Sequence, residues 1–100
     1  MNVRKPVDYG AMHRELTAIL AQNLSQMEEI FAIGKAISQR PEKGAAVAAA
    51  EFLQANFPDR AGFSPRNVRR MRDFYKTYEN GQALLRLAMK IGWTLNVVIM

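Results

Sequence analysis

The chain has 100 residues, 49% of them hydrophobic, with 14 Lys and Arg against 9 Asp and Glu for a net charge of +5. That is one small domain, able to bury a single modest core without staples, and the absence of Cys excludes disulfides and thiolate metal sites. No run approaches the roughly 18 apolar residues of a membrane span, and the start "MNVRKPVDYG" lacks the apolar centre of a secretory signal, so a soluble cytoplasmic domain with no membrane association is expected.

Helix formers dominate and no long apolar alternation occurs, which predicts an all-α fold. A first helix starts near Pro6 or Asp8, with Asp8 as its cap and Tyr9, Met12, Leu16, Ile19 and Leu20 at helical spacing. "QNLSQ" interrupts or bends the chain near Asn23 to Ser25, and Ser25 followed by Glu28 has capping-box spacing. A second helix runs to about Arg40 with Met27, Ile30, Phe31, Ile33, Gly34 and Ile37 inward. Gly34, where a large side chain would usually sit, predicts the close approach of another helix.

"RPEKG" is a break, and a third, Ala-rich helix covers roughly Glu42 to Asn56. "FPDRAGF" reads as a turn. Ser64 followed by Pro65 pairs a capping hydroxyl with Pro at the first helical position, so a fourth helix runs from there to about Tyr78. Asn80-Gly81 ends it. A fifth helix follows from about Gln82 to Ile91, with Leu84, Leu85, Leu87, Ala88 and Ile91, and Gly92 stops it. "WTLNVVIM" begins a further element. Its apolar residues Val97 to Met100 lack a polar cap. They leave two readings open: a fragment of a longer chain, or a tail packed into the core or onto a second copy. The expectation is a single five- or six-helix domain over residues 1–100 with a helix-turn-helix-like centre.

The charge excess is concentrated. Between Arg60 and Lys76 six cations (Arg60, Arg66, Arg69, Arg70, Arg72, Lys76) face one acid, Asp73, leaving eight cations and eight acids in the remainder. A clustered excess makes a directed positive field. At about 100° per residue, Val68, Met71, Phe74, Tyr75 and Tyr78 share one side of the fourth helix. Arg66, Arg69, Arg70, Asp73 and Lys76 share the other, with Arg72 at the flank. Neighbours one turn apart would lie roughly 5–6 Å from each other. Arg matches phosphate oxygens and guanine edges two-pronged, and helix, turn, helix is the order of a unit whose second helix enters the major groove. The plainer reading is a solvated face whose cations pair with acids such as Glu51 or Glu79. The cation-rich start of the helix is unfavourable for the macrodipole, yet it would welcome a phosphate.

Chemistry elsewhere is sparse. His13 is the only His, so it makes neither a metal site nor a triad. Glu28 and Glu29 are adjacent and diverge; Glu42, Glu51 and Asp59 lack metal-ligand spacing, and no Gly-rich phosphate loop is present. No catalytic residue, metal or cofactor is expected. Tyr75 and Tyr78 are read as core residues ahead of base stacking, Trp93 as a core anchor ahead of a binding role, and Asn67 as bonding back to the "DRAG" turn ahead of donating to a phosphate.

"FAIGKAISQR", "GFSPRNVRRMRDFYKTY" and "GWTLNVVIM" resemble the amino-terminal domain of the YhcG-like family of bacterial and mobile-element proteins, over about residues 24–100. The central run is the specific part, with Gly62, Phe63, Ser64, Arg66, Asn67, Met71, Arg72, Phe74 and Tyr75 in place. Leu95 stands where the family often has His. The resemblance implies a helical DNA-binding domain ahead of a PDDEXK-type nuclease domain, which this chain does not contain.

The expected function is therefore DNA binding, mainly through phosphates, by Arg66, Arg69, Arg70 and Lys76 with Arg60 and Arg72 at the rim, supporting a nuclease but not itself an enzyme. The alternative is a protein-interaction module. There the fifth helix and apolar tail form a homodimer or dock on a nuclease domain, and the arginines meet an acidic partner.

Overall fold

A computed structural model describes residues 8–42 and 44–93. They form five helices and no strand: α1 (Gly10–Ala21), α2 (Gln26–Ser38), α3 (Ala45–Asn56), α4 (Pro65–Tyr78) and α5 (Gln82–Ile91). The apolar tail after Trp93 and the proposed starting point at Pro6 lie outside the described residues.

Each helix start has a local cause. The Asp8 carboxylate accepts from the Gly10 amide at 2.8 Å, so Asp8 does satisfy an otherwise free donor at the head of α1. Asn23 takes a left-handed conformation (φ 55°) in the turn between α1 and α2. Ser25 Oγ then accepts from the Glu28 amide at 3.3 Å. Ser64 Oγ accepts from the Asn67 amide at 3.1 Å with Pro65 in the first turn, the arrangement the sequence predicts for α4. The third helix starts at Ala45 rather than Glu42. The Glu42 carboxylate is held by Arg40, which donates to it from Nε and Nη2 at 3.2 Å each, and the chain there is still turning.

The core is one cluster. Met12, Leu16 and Ile19 of α1 meet Ile30, Ile33 and Ile37 of α2, the alanines and Leu53 of α3, and Val68, Met71 and Phe74 of α4. Ala45, Ala46, Ala49 and Ala50 are all buried, so the small side chains of α3 let its neighbours come close. The helix order α3, turn, α4 is present, but the principal partner of α4 is α2. α5 joins the bundle chiefly through α4.

The α2–α4 crossing is set at Gly34. A Cβ on Gly34 would lie 2.1 Å from the Met71 carbonyl oxygen and 3.0 Å from Tyr75 Cβ. Backbone meets backbone there, as the sequence position suggests, and only a residue without a side chain fits. Phe31 flanks the crossing, with its ring edge-on to Phe74 (6.2 Å, 88°) and 5.0 Å from the Tyr75 ring. Replacing Gly with Ala in an unobstructed helix interior stabilises by about 1 kcal/mol. Gly34→Ala should instead destabilise by about 2 kcal/mol, because α2 and α4 must separate. Urea unfolding gives the sign directly.

Candidate nucleic-acid interface

α4 exists as a helix with two unlike faces because its apolar residues recur every three to four positions while the intervening positions carry charge. Val68, Met71 and Phe74 are buried, and Tyr75 and Tyr78 are half-buried. Tyr78 lies 5.1 Å from the Phe74 ring. Tyr78 packs against the core as expected, whereas Tyr75 is half-buried with its ring beside Phe31.

The turn ahead of α4 is tied down at several points. Gly62 has φ 89°, a conformation open to glycine. Its carbonyl accepts from Asn67 Nδ2 at 2.6 Å. Asn67 Oδ1 accepts from the Trp93 indole Nε1 at 3.2 Å, and the Trp93 ring stands edge-on to Phe74 (5.8 Å, 90°). One amide side chain therefore joins the turn, α4 and the segment following α5. Phe63 is buried beneath the turn. This is the back-bonding role read for Asn67 and the anchoring role read for Trp93.

The six cations have different fates. Arg60 donates from Nη2 to Glu29 Oε1 on α2, and its guanidinium lies over the Phe63 ring, 5.5 Å from the centroid. Its side chain is 46% exposed while that of Glu29 is 11% exposed. Arg60 is therefore the solvent-facing partner of a buried carboxylate and fastens the turn to α2. Arg72 is half-buried. Its Nε lies 3.5 Å from Asp73 Oδ1, near enough for attraction, but has no aligned hydrogen-bond partner. Arg66, Arg69 and Lys76 are exposed and Arg70 is half-buried. These four make no ion pair and no side-chain hydrogen bond among the described residues. Glu51 and Glu79, the acids that could have neutralised them, are exposed and pair with none of them. The first turn of α4 holds no acid either.

The buried Glu29 is the residue that sequence reasoning missed. Its signal was available: it stands four positions before Ile33, inside the apolar arc of α2. A cleft of about 130 Å³ opens beside it, lined by Arg60, Phe63, Asn67, Met71 and Trp93 among others. His13 stacks flat on Phe52, with ring centroids 4.2 Å apart and planes within 4°. Among the described residues no group of three or more His, Asp or Glu is placed to hold a metal ion. No helix among them is long and apolar enough to cross a membrane.

The family model described as the DUF1016 N-terminal domain matches residues 12–100. The chain belongs to that family. The resemblance to the YhcG-like amino-terminal domain is consistent with this. No curated protein and no solved structure matches the chain. In this DUF1016 N-terminal domain most residues of the motif that carried the resemblance have internal work. Gly62 bends the turn, Ser64 caps α4, Asn67 ties the turn down, and Phe63, Met71 and Phe74 fill the core. Arg66 is the exception, with no hydrogen bond or ion pair among the described residues.

Two outcomes follow for stability. Arg66→Gln removes a cation from the first turn of α4 and relieves repulsion from Arg70 one turn on. It should raise stability by about 0.5 kcal/mol in thermal or urea unfolding. Asn67→Ala leaves the Trp93 N–H without its acceptor and frees the turn, and should cost about 1–3 kcal/mol. Trp93 is the only Trp, so its fluorescence should shift to longer wavelength in the folded variant as the indole turns to water.

Proposed function

We propose that this DUF1016 N-terminal domain binds duplex DNA through its phosphate backbone, using the outer face of α4. The observation that supports this is the set of four cations, Arg66, Arg69, Arg70 and Lys76, gathered on one helix face with Asp73 as the one acid among them and with no ion pair to any described residue. Arg66 stands one turn from both Arg69 and Arg70, and like charges at such spacing cost a few tenths of a kcal/mol per pair in the isolated domain. A polyanion would reverse that cost and release its own counterions. Pro65 has no N–H, and the amides of Asn67 and Val68 bond to Ser64, so the Arg66 amide is the first-turn donor left for a phosphate oxygen.

The reading uses fewer residues than the sequence offered. Arg60 is engaged with Glu29 and Arg72 leans on Asp73, so both belong to the edge of the surface at most. Asp73 lies among the four cations on the helix wheel and sets a limit on uniform phosphate contact; a carboxylate there tolerates a cytosine amino group better than a phosphate. The family resemblance supports a role beside a nuclease domain carried on another segment, in the cytoplasm. On this reading the present chain is a binding module and not itself an enzyme.

Four phosphate contacts predict that log K falls against log salt with a slope of about −3.6 for B-form DNA. Changing Arg66 and Arg70 together to Gln should reduce that slope by about 1.8 and weaken binding at low salt, while urea unfolding shows the fold intact. Fluorescence anisotropy with a labelled random duplex across a salt series measures both. Unchanged affinity and slope would remove this surface from consideration.

A further inference from the structure

α5 exposes what other helices of the domain bury. Leu84 is 62% exposed, Leu87 59% and Ile91 42%. At about 100° per residue these three fall within about 60° of arc. Leu85, Ala88 and Met89 fall on the adjoining side, where Ala88 is buried and the other two are half-buried against the core. The apolar arc of α5 is therefore about twice as wide as the part its own bundle covers. A helix built only to close the bundle would carry polar residues at 84, 87 and 91.

The charges on the outer flank of α5 bear on its occupant. α5 carries Arg86 and Lys90 and no acid; Lys90 borders the stripe, about 60° round from Leu87, and Arg86 lies about 40° beyond it on the same flank. A second copy pairing antiparallel about a two-fold axis would bring that flank against the same flank of its partner, cation to cation. A parallel two-fold pair would bring it against the side of α5 already covered by the bundle. An amphipathic helix with Leu or Ile along one stripe and Glu or Asp on its border meets neither obstacle and matches both chemistries.

We propose that Leu84, Leu87 and Ile91 form a docking surface for an acidic amphipathic helix of another protein or domain, with Arg86 and Lys90 setting its charge preference. This surface is separate from the α4 cations and stands whether or not α4 binds DNA.

The test uses the full chain and two synthetic helical peptides. One carries Leu at i, i+3 and i+7 bordered by Glu, and in its twin every Glu is Lys. Fluorescence anisotropy should give at least about tenfold tighter binding for the Glu peptide. Leu87→Glu should abolish that binding without lowering the thermal midpoint, because the residue is exposed. The double variant Arg86→Glu with Lys90→Glu should turn the preference toward the Lys peptide. Arg66→Glu with Arg70→Glu should leave Glu-peptide binding in place. Equal binding of both peptides, or none, overturns the proposal. So does loss of binding in the α4 variant, which would put the peptide on the wrong helix. A dimer in light scattering that Leu87→Glu converts to monomer would also overturn it, by showing that a second copy covers the face.

Discussion

The crossing of α2 over α4 at Gly34 is the contact on which the arrangement depends. The Met71 carbonyl approaches so closely that no side chain can stand at position 34. Backbones meeting at that distance leave a helix little freedom to roll about its axis. Rotating α4 by even one residue position would swing Met71 and Tyr75 out of the crossing and drive Phe74, which is fully buried, toward water. The burial of one large aromatic is worth several kcal/mol on its own, far more than the tenths that separate one arrangement of surface charges from another. The packing therefore decides which face of α4 looks outward, and the cations take the positions that remain.

The turn before α4 is fastened by a different kind of force. Asn67 supplies one donor and one acceptor to two otherwise distant backbone and side-chain groups, and the Arg60–Glu29 pair joins the same turn to α2. Hydrogen bonds contribute little net stability apiece but cost more when left unmade in a buried place. Their effect here is positional: they hold the first turn of α4, with Arg66 on it, in a fixed relation to the core. The Arg60 guanidinium also offsets the desolvation of the Glu29 carboxylate. A cation that looks available in the sequence is thus part of the scaffold that presents the others.

Much of this was legible because the relevant signals are local. Ser25, Ser64 with Pro65, and Asn80-Gly81 mark helix ends through chemistry confined to a few residues. The 3.6-residue period of α4 tells which side is buried, and a glycine in an otherwise apolar helix stripe announces a crossing. What local signals cannot carry is the identity of a partner distant in sequence. Glu29 and Arg60 are 31 positions apart, and neither residue says alone that it belongs to a pair. The start of α3 shifted for a related reason, since Arg40 captures the Glu42 carboxylate before the helix begins. The outward leucines of α5 were legible as a helical pattern but not as an exposed one. A periodic apolar stripe records that something covers it and is silent about whether that cover comes from the same domain.

The two adjacent helices α4 and α5 carry opposite kinds of unmet demand. Among the described residues, the outer face of α4 holds four cations that make no ion pair, and the outer face of α5 holds hydrocarbon that stays exposed. Each arrangement costs the isolated domain something, through like-charge repulsion in one case and hydration of apolar surface in the other. The two costs respond to different conditions. Repulsion among the α4 cations is screened by salt, with a range of about 10 Å at 0.1 M, whereas the exposure of Leu84, Leu87 and Ile91 is relieved only by contact. A polyanion satisfies the first and leaves the second untouched. The described residues thus form a small frame with two faces of distinct chemistry, and the close crossing at Gly34 is what keeps α4 from trading its charged face for its buried one.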